Sequence, residues 1–168
     1  MPAAGNLHAR TGSGSLNIEG IHGPVDASSG SGHVTAAHIG GEVRIRTGSG
    51  AMTLDSIQGK LQAETGSGSI EARAITGPST LETGSGAVRL EQTVAGPVKA
   101  RTGSGGIEVR LPGAGGFDLH ARTGSGRVSV SQPITVSGSM DKREIRGQIR
   151  GGGPLVDVST GSGGIRIE

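Results

Sequence analysis

Four sets of residues in this 168-residue chain have types and spacings that could do chemistry. The first is a glycine-rich tetrapeptide, Thr-Gly-Ser-Gly, which begins at Thr11, Thr47, Thr65, Thr83, Thr102, Thr123 and Thr160, with a Ser variant at Ser29. A phosphate-cradling loop of this kind needs a following Lys and the start of a helix. No Lys follows any copy here. Repetition argues for a structural corner, with backbone anion nests as the remaining binding chemistry. The second set is the five histidines. His8 and His120 occupy equivalent outward positions in distant repeats. His22, His33 and His38 crowd the first two repeats, where His22 and His38 fall on one edge. Surface histidine is the simpler reading, and no metal site is expected. The third set is Asp55, Arg73, Glu91 and Arg110, one outward rank that makes a charged strip. A carbohydrate-active enzyme would need such carboxylates to converge in a cleft, usually beside aromatic platforms, and the only aromatic residue is Phe117. The fourth is the basic stretch Lys142, Arg143, Arg146 and Arg150, opposed only by Asp141 and Glu144. It interrupts the repeat between Val136 and Pro154, and breaks in repeat arrays often form loops that bind partners.

The elements that position these residues follow from the repeat itself. Successive motif starts from Thr11 are 18, 18, 18, 18, 19, 21 and 37 residues apart. Around each motif the apolar residues alternate. Val43 and Ile45 precede Thr47, and Met52 and Leu54 follow it; Val98 and Ala100 precede Thr102, and Ile107 and Val109 follow it. Period-two alternation over four or five residues is the strand signal, and no 3.6-residue pattern competes with it. Each repeat therefore holds one strand into the corner and one out of it. A further apolar residue (Ile21, Ile39, Ile57, Ile75) precedes a Gly, often beside Pro, that marks a second turn. Strands at a fixed period stack into coils with parallel pairing about 4.8 Å apart. The expected fold is an all-β, single-stranded parallel β-solenoid of about 18 residues per coil, with right-handed coils favoured by the crossover rule and a left-handed hexapeptide helix left open by the 18-residue period.

In that solenoid the motif threonines Thr11, Thr47, Thr65, Thr83, Thr102, Thr123 and Thr160 point inward as a ladder whose hydroxyls bond along the stack. The residues before them form one solvated row, with Arg46 opposite Glu64, Glu82 opposite Arg101, and like charges meeting at Arg101 and Arg122. Asp26, Asp55, Asp118, Asp141 and Asp157 share no register, against calcium-binding β-roll repeats. An ice-binding Thr array is also disfavoured, because the regular Thr row is buried and the outward rank runs Asn17, Thr35, Thr53, Glu71, Arg89, Glu108.

Composition sets the outer bounds. Glycine supplies 34 residues and proline 7, against one Phe and no Trp, Tyr or Cys. Such a chain reads as disordered until its period is noticed. The period turns the same residues into the corners of a narrow coil filled by Val, Ile, Leu, Ala and Thr. Without Cys there is no disulfide, thiolate metal site or Cys nucleophile. No run of 18 apolar residues could cross a membrane as a helix. Met1-Pro2-Ala3-Ala4-Gly5 lacks the charged and apolar regions of a signal peptide, so any export signal is expected outside this chain. The net charge of +2 does not call for a nucleic acid.

The repeated T-G-S-G-x-(apolar)-x-(apolar), as in Thr83-Gly-Ser-Gly-Ala-Val-Arg-Leu and Thr102-Gly-Ser-Gly-Gly-Ile-Glu-Val, resembles a bacterial adhesin-like β-solenoid family, a domain of unknown function. Gly116–Gly126 and Arg146–Pro154, followed by Thr160-Gly-Ser-Gly, resemble its late repeats. The resemblance covers nearly the whole chain. It implies an extracytoplasmic location, at the cell surface, in the envelope or secreted.

The resulting expectation is one domain over residues 1–168. Regular coils would occupy 7–126, an irregular or elaborated coil 127–159, and a final strand 160–168. Its function would be non-enzymatic: a rigid adhesin-like or scaffold module, without cofactor, that binds envelope polymers or another protein. The alternative is a β-helix lyase or hydrolase acting on an acidic polysaccharide. Lys142, Arg143, Arg146 and Arg150 are the candidate partner site, with a terminal packing device as the competing reading. Neither end of the rod carries an evident cap, which points to end-to-end association or to a longer parent protein.

Overall fold

A computed structural model describes residues 6–94, 96–112, 115–131, 134–136 and 141–168. Residues 137–140, at the start of the irregular segment, lie outside the described residues. The strands are β1 (Leu7–Ser13), β2 (Leu16–Ile21), β3 (Val25–Ser31), β4 (Val34–Ile39), β5 (Val43–Ser49), β6 (Met52–Ile57), β7 (Leu61–Ser67), β8 (Ile70–Ile75) and β9 (Ser79–Ser85). There follow β10 (Val88–Gln92), β11 (Val98–Ser104), β12 (Ile107–Arg110), β13 (Phe117–Ser125), β14 (Val128–Val130), β15 (Ile134–Val136), β16 (Glu144–Ile149), β17 (Leu155–Ser162) and β18 (Ile165–Ile167). The fold is the expected parallel β-solenoid. Odd-numbered strands build one sheet and even-numbered strands the other up to β12, and pairing is parallel and in motif register, as in Thr47↔Thr65 and Ser49↔Ser67.

The alternation explains the burial. In β5, Val43, Ile45 and Thr47 are buried while Arg44 and Arg46 are exposed. The core is a column of such residues from all coils, including Leu54, Leu61, Ile70, Leu81 and Val109 at 0 % exposure. The second strand of each early coil departs from strict alternation. Gly20, His38, Ser56 and Ala74 have φ between 52° and 69°. This left-handed residue swings the chain by one position, so that Ile39, Ile57 and Ile75 enter the core three residues after Ala36, Leu54 and Ala72.

Sequence order and stacking order part company after β12. The first sheet runs β1-β3-β5-β7-β9-β11-β17-β13-β16-β15, and the second runs β14-β18-β12-β10-β8-β6-β4-β2. The coil β17–β18, latest in sequence, is thus inserted between β11–β12 and β13–β14, with Thr160 paired to Thr102 on one side and to Thr123 on the other. The expected contact of Arg101 with Arg122 does not form, because Ser159 stands between them.

The irregular segment caps one end of the rod, where the first sheet ends on β15 and the second on β14. β16 runs antiparallel to β13, with Phe117 opposite Ile149, and β15 runs antiparallel to β16. Phe117 is fully buried there. The other end is the coil β1–β2, where Leu7, Ala9, Leu16 and Ile21 are only partly covered.

Candidate functional site

The motif corners are built by coil-to-coil bonding. In each interior corner the amide of the second Gly donates to the Ser carbonyl of the next coil, as from Gly50 to Ser67 at 3.0 Å and from Gly68 to Ser85 at 2.9 Å. These amides are therefore unavailable to a phosphate. The motif threonines of the inner coils are 3–6 % exposed. Thr83 Oγ1 is placed to donate to Ser85 O and Gly68 O, both at 3.1 Å, and Thr102, Thr123 and Thr160 repeat the arrangement. From Thr65 onward the hydroxyls reach a glycine carbonyl of the preceding coil in the stack rather than another threonine. Thr47 bonds only within its own corner, and Thr11, in the first coil, is half-buried and does the same.

Outside this ladder a groove of about 820 Å³ runs lengthwise across the coils. Gly48, Gly66, Gly84 and Gly103 line it together with the threonines, and Arg46, Glu64, Glu82 and Arg101 stand along it. Arg46 and Glu64 pair at 3.1 Å. The groove is open and its carboxylates follow the stack, so they do not face each other across a cleft.

The second sheet carries Asp55 paired with Arg73 and Glu91 paired with Arg110, a strip that Glu168 extends beside Arg110. Beside it run Glu71, Arg89, Glu108 and Arg166. Arg110 lies 3.6 Å from Glu108 and 3.2 Å from Glu168, Arg166 is 3.1 Å from Glu168, and Arg73 pairs with Glu71. Alternation of charge makes this face a self-paired surface, each exposed pair contributing little. Among the described residues no three His, Asp or Glu converge as a metal cluster.

The basic segment divides. Arg150 donates to the carbonyls of Pro112 and Gly115, both at 3.2 Å, and so ties the cap to a loop. Arg146 pairs with Glu144 at 3.0 Å. Glu144 also meets His120 Nε2 at 3.2 Å, and His120 Nδ1 lies 3.6 Å from Asp157. The His120 hydrogen bond, reinforced by the charges of Arg146 and Arg122, holds the Glu144 carboxyl below its ordinary range. Lys142 and Arg143 are exposed, and their carbonyls accept from Val128 and Thr123 at 3.1 and 2.8 Å. Arg122, placed from the sequence only in the solvated row, and Arg127, not singled out there, stand exposed at that same corner. Their signal was present as basic residues flanking the last regular motif before the interruption.

A stack of repeated corners, a threonine ladder and self-paired outer charges defines a repeat solenoid. The profile of the Toastrack DUF4097 family, a domain of unknown function, matches residues 3–168, and the chain belongs to that family. No curated protein and no solved structure matches the chain.

Proposed function

We propose that this Toastrack solenoid is a non-enzymatic rod in the cell envelope or at the cell surface, where it acts as an adhesin-like or scaffold module. The observation that carries this reading is the use of the motif's polar groups. The hydroxyls of Thr65, Thr83, Thr102, Thr123 and Thr160 and nearly every second-glycine amide of the corners are spent on coil-to-coil bonding, and the outer carboxylates are spread along ladders. Groups committed in this way stiffen a rod and are not free to act on a substrate. Contacts to an envelope polymer or a partner protein would be distributed along the ladders and the cap.

Two assays test this. Incubation with acidic polysaccharides should produce no unsaturated uronate and no new reducing ends; turnover abolished by Glu91→Gln or Glu108→Gln would overturn the reading in favour of a lyase or hydrolase. Beads coated with the domain should be retained by purified cell-wall polymer, and equal retention by uncoated beads would count against an adhesive role.

A further inference from the structure

The corner that ends the stack differs from every corner inside it. The second-glycine amides of Gly14, Gly32, Gly50, Gly68, Gly86, Gly105 and Gly163 all donate to a Ser carbonyl of the next coil, at 2.8–3.1 Å. Gly126 belongs to the last coil before the cap, and no described residue offers its amide a carbonyl. Gly126 is exposed, whereas Gly50, Gly68 and Gly163 are half-buried. Its φ of 140° matches the other corners, so the amide keeps the direction that elsewhere meets an oxygen.

The cap brings two basic residues to this corner, and two more adjoin it in the chain. Arg143 O accepts from Thr123 N and Lys142 O from Val128 N, so the turn lies across the corner. Arg122 and Arg127 flank the same corner along the coil. All four cations are exposed; among the described residues Arg127, Lys142 and Arg143 have no ion-pair or side-chain hydrogen-bond partner, while Arg122 lies opposite Glu144 and its charge acts on that carboxylate. Of the acids nearby, Glu144 is occupied by His120 and Arg146, which leaves exposed Asp141 as the one opposing charge in the turn. The bias extends along the rod. Residues 1–100 hold seven Lys/Arg against eight Asp/Glu, and residues 101–168 hold nine against six. At the corner itself Gly124, Ser125 and Gly126 are exposed and present little side chain, so a tetrahedral oxyanion can approach the backbone. Guanidinium groups and a directed amide are the partners such an oxyanion takes.

We propose that the terminal corner binds a phosphate group, one oxygen taking the place of the missing Ser carbonyl at the Gly126 amide and the charge being matched by Arg122, Arg127, Lys142 and Arg143. This goes beyond the scaffold reading and does not depend on it.

Inorganic phosphate is the first probe, read by amide chemical shifts of the labelled full chain. Saturable shifts are expected at Ser125, Gly126 and Arg127, with none at the interior corners Gly50 and Gly68. The variant Lys142→Gln/Arg143→Gln, on the exposed turn and checked for an unchanged spectrum elsewhere, should bind about tenfold more weakly. No saturable shift, equal shifts at all corners, or undiminished binding by the folded variant would overturn the proposal. Two carriers identify the source: sedimentation with phosphatidylglycerol but not phosphatidylcholine vesicles places the phosphate on a lipid, and binding of a soluble glycerol-phosphate polymer places it on a polymer, each only if lost in the double variant.

Discussion

Gln92 shows how strictly a repeated slot constrains a single residue. It pairs with Ile75, where earlier coils hold isoleucine, and it is 3 % exposed. Its coil lacks the left-handed residue of the earlier ones, so the register shifts between Leu90 and Gln92. The side-chain amide reaches Gly77 O at 3.5 Å, and Oε1 has no partner among the described residues. A buried polar atom without a partner costs about 1–3 kcal/mol. Gln92→Met keeps the length and removes that atom, so it should stabilise the fold by roughly 1 kcal/mol, raising Tm by about 2–4 °C. Thermal unfolding checks this; a lower Tm would show that the bond to Gly77 outweighs the orphaned oxygen.

Among the elements, the cap is held partly by ionisable contacts, so its stability depends on pH. Glu144 on β16 faces His120 on β13, with Arg146 and Arg122 beside it and Asp157 on β17 across His120. Its carboxyl titrates below the ordinary glutamate range. A carboxyl with a depressed folded value contributes stability above the unfolded value and loses it as pH falls through the folded one. Hydrogen exchange of β16 should therefore accelerate relative to β5 on acidification below the usual glutamate range, and Glu144→Gln should remove most of that dependence. A cap whose relative exchange ignores pH in the wild-type chain would contradict this role.

The regular coils were legible in the sequence because one rule, alternation about a fixed corner, places the inward residues on either side of each corner from Leu7 to Leu90, with Ile39, Ile57 and Ile75 as the exceptions. The left-handed positions were less so: Gly20 hints at them, but His38, Ser56 and Ala74 do not, since only the spacing of three before each isoleucine betrays them. Of the basic segment, proximity in sequence said nothing of which guanidinium would be consumed by a carbonyl or a carboxylate.

For the whole molecule, the position of β17–β18 was the main feature not legible, because a period reports coil content and not stacking order. Charge did hold a trace of it. Glu71, Arg89, Glu108 and Arg166 alternate, and Arg110 finds Glu168; direct stacking of β14 on β12 would have met Ser129 and Ser131 instead. The interleaved coil predicts that amides of Val156, Val158 and Ile165 exchange as slowly as those of β11 and more slowly than those of β1. Rapid exchange over 155–167 would contradict the stacking order.

That order also changes how the rod can be made. An ordinary repeat array grows by adding each new unit to the one before it. Here β13–β14 is synthesised before the neighbour that joins it to the rest, so it must wait, with the cap, until the later segment fills the gap. Assembly is thus gated by a late keystone: a chain interrupted before Leu155 yields two unjoined stacks with bare edges, and only the finished segment closes them.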